Sequence, residues 1–393
     1  MKTFRPILLS ILSGLLLAAG WPSAGFAPLL LVGLVPLLHL ENSEYRKGSN
    51  QKAGAFFWSV YLCFLTFNLL TTWWVRYASF FGAVAAIVCN ALFMALVFQL
   101  FHKVRMRTKG RFGYLALVCF WVTFEHLHMN WDLSWPWLTL GNGFAGWPKM
   151  IQWYEFTGVL GGSIWMLAVN IFIYRLIAER ILHHNEIDFR KNVILLCCIF
   201  FIPLAYSQIR YATYSEKTDP VNVAVVQPNI DPYNEKFSGM SSSDQLARIM
   251  QLASTVTDST TDFIVAPETA LPDGIWEEEL EHHPHVNLLR RFSKDLGGAE
   301  WVIGLASNKL YPDSNLKSST ARRFRDTALY YDSFNTAMLV TGNGPLQLHH
   351  KSKLVPGVEK MPFPAFFKYF ESFAIDLGGT EGSLGVQSSP SVF

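Results

Sequence analysis

Two patterns of apolar and polar positions divide the chain. Up to about residue 210, long apolar runs follow one another with short polar interruptions. A spanning helix needs roughly 20 mostly apolar residues, and seven candidates fall at 7–21, 26–40, 53–73, 82–102, 112–128, 157–177 and 192–207. The first could also act as a signal peptide, because Lys2 and Arg5 precede it and SAGFA offers small residues for cleavage. The second apolar run follows at once, which favours a span. Beyond residue 210, short apolar runs alternate with charged, turn-rich stretches. VNVAVVQPN (221–229), DFIVAPE, EWVIGLAS, SFNTAMLVTGNG and QLHHKSKLVPG read as strands or extended pieces. SSSDQLARIMQLASTV opens with cap-type residues and spaces its apolar side chains as one helix face, and 275–296 reads as largely helical with an interruption at Pro284. Strands alternating with helices predict a layered α/β domain. The expected division is a membrane part at 1–210 and an α/β part at 220–393.

Composition agrees with a membrane protein. Hydrophobic residues make up 51% and charged residues 16%, against roughly 25% charged in soluble proteins. A net charge of +2 gives no global reason to expect a nucleic-acid partner. The five cysteines, Cys63, Cys89, Cys119, Cys197 and Cys198, lie inside apolar runs without regular spacing, so they suit neither a disulfide framework nor a zinc site. There is no His-Glu-x-x-His motif and no glycine-rich phosphate loop, and no cofactor or metal is expected.

Loop charge sets the expected orientation. With the N-terminus inside, the inner loops hold Arg46, Lys47 and Lys52, then Lys103, Arg105, Arg107, Lys109 and Arg111, then Arg180, Arg190 and Lys191; the outer loops hold only Arg76 and Lys149. Seven spans then place Arg210 onward on the extracytoplasmic side. The outer loop 130–156 carries Trp131, Trp135, Trp137, Trp147 and Trp153, which read as an interfacial aromatic belt or as a lipid-facing floor. Glu125, His126 and His128 end the fifth candidate span and read as structural interface groups.

FIVAPETALPD raises the chemical question, because a buried strand ends in one carboxylate, Glu268. A partly desolvated Glu has its pKa raised towards the range of a general base. Lys351, in HHKSKLVP, could hold that carboxylate and stabilise an oxyanion, and Glu359 follows in GVEKMPF. Such a pair suits a thiol nucleophile, which needs help to ionise. On spacing alone, each of these residues could equally be a solvated rim or ion-pair residue.

The segments VAVVQPNI, FIVAPETALPD, SFNTAMLV and HHKSKLVPGVEKMPF resemble the nitrilase-like domain of bacterial apolipoprotein N-acyltransferases, and GWPSAGFAPLLLVGLVPLL and WPWLTLGNGFAG resemble the membrane part of that family. The resemblance covers nearly the whole chain. It implies a polytopic α-helical membrane domain of about seven spans followed by an α/β nitrilase-like domain, an αββα sandwich incomplete at its C-terminus. It also implies an acyl chain taken from a phospholipid, held as a Cys thioester, and passed to the α-amine of a diacylglyceryl-cysteine apolipoprotein. Glu268 would be the general base, Lys351 the oxyanion stabiliser, and Glu359 a supporting acidic residue. Asn335 and Phe237 would contact substrate, Phe237 standing where the family often has Trp. The family's setting implies a monomer in the bacterial inner membrane with the nitrilase-like part in the periplasm.

That family's nucleophilic Cys is expected after the Lys-bearing strand, in a CYE-like segment, and none of the five cysteines matches it. The chain is therefore expected to be a C-terminally truncated fragment, inactive as it stands. The alternatives are a membrane-tethered amidase of the nitrilase class, with water as acceptor, and a non-catalytic scaffold or transporter. For a transporter, Asn68, Asn90 and Asn170 are the interior polar candidates.

Overall fold

The computed structural model describes residues 4–22, 25–48, 53–178, 186–216, 218–232, 234–237, 239–361, 363 and 383–393. The chain divides into two compact units, Met1–Ser215 and Glu216–Phe393.

The first unit is helical: α1 Phe4–Gly20, α2 Val35–Lys47, α3 Ala53–Thr72, α4 Phe80–Arg107, α5 Gly113–Met129, α6 Tyr154–Ala178 and α7 Glu186–Thr213. Among the described residues, four helices are long and apolar enough to cross a membrane, at Gly54–Tyr77, Phe80–Arg107, Tyr154–Ala178 and Phe189–Thr213. The seven expected spans are thus not all found as single helices. At 17 residues each, α1 and α5 are shorter. The 26–40 candidate is broken into a 3-10 turn at Ala27–Leu31 and the start of α2. Its own sequence explains the break: Pro28 and Pro36 each lie at the start of a new helical segment, where a missing N–H costs nothing.

A broken helix inside apolar packing leaves backbone groups that must find partners within the protein. Asn170 of α6 supplies them. Its Nδ2 donates to the Leu30 carbonyl at 2.8 Å, and its Oδ1 accepts from the Leu34 amide at 2.8 Å. The other interior asparagines are committed as well. Asn90 Nδ2 donates to Asn68 Oδ1 at 2.7 Å, and Asn90 Oδ1 lies 3.1 Å from His128 Nε2. Glu125 accepts from the Trp121 indole at 2.9 Å and from the Leu140 amide at 2.8 Å, pinning the 3-10 segment Leu140–Phe144 into the core. Glu41 of α2, which the apolar pattern did not reveal, is fully buried between His102 and Arg105 of α4. Burial of a carboxylate is tolerated when it is paired and hydrogen-bonded in this way.

The described residues of the second unit form a 7-stranded mixed sheet: β1 Val223–Val225, β2 Phe263–Val265, β3 Leu271–Trp276, β4 Glu300–Tyr311, β5 Arg322–Arg323, β6 Tyr330–Val340 and β7 Gln347–His350. The order is β1-β2-β4-β6-β5, with β3 also on β4 and β7 also on β6. β1, β2 and β4 run parallel, whereas β4, β6 and β7 are antiparallel. Helices α8 Ser242–Ser254 and α9 Pro284–Asp295 pack their apolar stripes, including Leu246, Ile249, Val286 and Leu289, against Trp301, Ile303, Met338 and Val340. Ser241 caps α8, its hydroxyl oxygen accepting from the Asp244 amide at 3.1 Å. The helical expectation for 275–296 holds only from Pro284. Before it come the end of β3 and a 3-10 turn at Glu277–His282, because the Gly274–Trp276 stretch pairs with β4 instead.

If Asn170 is the partner of the broken segment, Asn170→Leu strands two buried backbone groups. We expect a loss of about 2–4 kcal/mol in the unfolding free energy of the whole chain in detergent micelles. An unchanged denaturation midpoint would show that Leu30 and Leu34 do not depend on it.

Candidate active site

Strand alternation places the site. On β4 and β6, Trp301, Ile303, Met338 and Val340 face the helices. The alternate positions face the other way; past the Val302–Leu339 pair these are Gly304, Ala306, Asn335 and Ala337. Three of those four are small, and they leave room for a chain segment on that face. The segment is the turn after β2. A Cβ on Gly304 would come within 2.6 Å of both Glu268 Cα and Pro267 O, so only glycine allows this approach. The Gly304 amide donates to the Pro267 carbonyl at 3.2 Å and continues the ladder past the end of β2. Glu268 is thereby delivered over the sheet.

Lys351 arrives from the opposite edge. It follows β7, and its amide donates to the Asn335 carbonyl at 2.8 Å, extending the β6–β7 register by one pair. Directly opposed residues share a face, so Asn335 and Lys351 both point at Glu268. Lys351 Nζ lies 2.8 Å from Glu268 Oε1 and 3.0 Å from Glu359 Oε1. Asn335 Nδ2 donates to Glu268 Oε1, and to Glu359 Oε1 at 2.8 Å. Glu359 sits in a turn closed on itself, its Oε2 accepting from the Val355 amide at 2.8 Å. The neighbouring His350 points to the other face, 2.8 Å from Glu277 Oε1.

The structure thus brings Glu268, Lys351, Glu359 and Asn335 into one hydrogen-bonded group. Phe237 stands apart, exposed on the loop between β1 and α8. Sequence reading missed a second cation: Lys236 Nζ donates to the Glu268 main-chain carbonyl at 2.9 Å. Only its place beside Phe237 could have drawn attention to it.

The electrostatics correct one expectation. Burial pushes the Glu268 pKa up, but hydrogen bonds from Lys351 and Asn335 and the charges of Lys351 and Lys236 outweigh it, so the carboxyl lies below its usual 4.5. For Lys351, burial pulls down, while hydrogen bonds to Glu268 and Glu359 and their charges hold it above the usual 10.5. At neutral pH both groups are charged. Glu268 is then a carboxylate able to accept a proton, its side chain 59% exposed.

The long apolar helices and the charged α/β unit together define the class, an integral membrane protein carrying a polar α/β unit. Residues 13–172 match the family described as the apolipoprotein N-acyltransferase N-terminal domain. The chain is 30% identical over 389 residues to an apolipoprotein N-acyltransferase of Chlorobaculum tepidum, covering 95% of this chain and 69% of the relative. It is 27% identical over 281 residues to that of Geobacter metallireducens, covering 68% and 52%, and 24% identical over 384 residues to that of Thermotoga maritima, covering 93% and 64%. The chain belongs to the apolipoprotein N-acyltransferase family. It spans about half to about two thirds of the length of these relatives.

Two outcomes follow from the geometry. Gly304→Ala should force the Glu268 turn off the sheet and cost about 1–3 kcal/mol, measured by chemical denaturation; a neutral result would mean that the turn does not sit over residue 304. The lowered Glu268 pKa contributes stability above pH 4.5 that is lost as pH falls through the folded value. The raised Lys351 pKa contributes stability below pH 10.5 that is lost as pH rises through its folded value. The stability difference between wild type and Glu268→Gln should therefore be constant from about pH 5 to about pH 10 and shrink below that window. A difference that stays flat into strong acid would contradict the pairing.

Proposed function

We propose that the chain forms the membrane unit and the base-bearing part of an enzyme that moves a fatty acyl chain from a phospholipid to the N-terminal amine of a diacylglyceryl-cysteine apolipoprotein. The observation that carries this reading is the ionised Glu268 held by Lys351 and Asn335 in a chain of this family. Glu268 takes the proton of a cysteine thiol. The thiolate attacks the ester carbonyl of the lipid, and a C–S bond forms. Lys351 stabilises the tetrahedral oxyanion; two of its three N–H groups bind the carboxylates, so one remains for this role. The C–O bond breaks, and the lysophospholipid alcohol leaves with the proton from Glu268. The acceptor amine then attacks the thioester, a C–N bond replaces the C–S bond, and the amine's proton passes through Glu268 to the sulfur.

The thiol comes from outside 216–393, a stretch with no cysteine. The nitrilase-like sandwich, the periplasmic placement of this unit and the substrate contacts of Asn335 and Phe237 belong to the same proposal. So does lateral access for both lipid substrates through the apolar helices.

The test is mass spectrometry of lipoprotein N-termini in a bacterium depleted of its own N-acyltransferase. The gene is supplied in its native reading frame, as wild type and with Glu268→Gln or Lys351→Ala. We expect N-acylation by the wild type, reduced about 100-fold or more by Glu268→Gln or Lys351→Ala. Full transfer by Glu268→Gln would overturn the base assignment, and release of free fatty acid without N-acylation would point to water as the acceptor.

A further inference from the structure

The group around Glu268 contains four charged side chains, and the mechanism above uses three. Glu268 and Glu359 both accept from Lys351 Nζ, at 2.8 Å and 3.0 Å. Two carboxylates sharing one ammonium leave a net negative charge, which would oppose ionisation of the pair. The fourth group is Lys236. Its ammonium donates at 2.9 Å to the main-chain carbonyl of Glu268 itself.

Lys236 is not a loose surface lysine. Its own carbonyl accepts at 2.8 Å from Nε2 of Gln245, a fully buried α8 side chain that also donates to Met240 O at 3.0 Å. Its amide donates to Asp231 O at 2.9 Å. A buried amide side chain therefore clips the loop between β1 and α8 in place, and the loop reaches across to Glu268 in the turn after β2. Burial lowers the Lys236 pKa while the Glu268 charge supports it, as expected for an ammonium drawn partly out of water by an anionic neighbour.

We propose that Lys236 is a positioning residue of this site, fixing the Glu268 turn through its peptide oxygen and supplying the second positive charge that balances Glu268 and Glu359. With Lys236 in place the four groups sum to zero, so Glu268 rests ionised without leaving the cluster a net anion. The charged groups facing Glu268 are Lys351 and Lys236, with Glu359 joined to it through Lys351. Any effect on catalysis rests on Glu268 being the base, whereas the charge coupling itself does not.

The test is a titration of carbon-13-labelled glutamate side chains by NMR in the whole chain in detergent micelles, with Glu268→Gln assigning the resonance. Lys236→Met should raise the Glu268 midpoint by roughly one pH unit, and Lys236→Arg should restore it to within a few tenths of the wild-type value. An unchanged midpoint in folded Lys236→Met would overturn the proposal. Lys236→Gln is the second neutral variant. If both neutral variants unfold while Lys236→Arg folds, the residue is structural and the proposal also fails. A raised midpoint alongside full acyl transfer by Glu268→Gln would keep the coupling and reject the function proposed above.

Discussion

One ammonium within 3.0 Å of two carboxylates forms the interaction on which the second unit turns. Glu268 and Glu359 are held at a common asparagine, and Lys351 between them offsets the repulsion of their charges. Three separate stretches must converge for this to happen: the turn after β2, the end of β7, and the turn at 355–360. The sheet makes the convergence possible by keeping its bulk on one face. Trp301, Ile303 and Met338 fill the helix side, while Gly304, Ala306 and Ala337 keep the other side low. The same alternation that builds the core clears the floor of the site.

The first unit shows the complementary economy of polar groups. Among the described residues, Asn170 and the Glu125 Oε1 meet backbone groups at broken segments, Asn68 and Asn90 bond each other, and Glu41 pairs with His102 and Arg105. In an apolar surrounding an unmet hydrogen bond is expensive, and polar side chains placed at a broken helix or a 3-10 segment remove that cost. Asn68, Asn90 and Asn170, the interior polar candidates of the transporter alternative, are each hydrogen-bonded to partners elsewhere in the unit. Glu125 accepts from Trp121 and Leu140, and His128 lies 3.1 Å from Asn90.

Glu268 illustrates why environment has to be read as a sum. Burial alone would move it towards neutrality, the direction expected from a carboxyl at the end of a buried strand. The neighbours contributed by β6, β7 and the β1–α8 loop reverse the sign. A carboxyl held ionised in this way can accept a proton without first losing its own.

By itself, the sequence determined what depends on local periodicity. Long apolar runs, the α8 cap at Ser241, the strands around VAV, FIV and SFNTAMLV, and the carboxylate stranded after Pro267 were all legible, because each is set by residues within a few positions of one another. The tertiary structure alone decided what depends on distant partners. Pro28 and Pro36 break the 26–40 run locally, but the partner that meets its freed backbone groups, Asn170, comes from α6, and β3 replaced a helix start because β4 offered it a ladder. Asn335 and Lys351 share a face through register, and Lys236 acts on Glu268 from a loop 32 residues away. Apolar burial has a period that a sequence displays, whereas charge pairing and hydrogen-bond satisfaction are properties of contacts, which form only once the chain has folded.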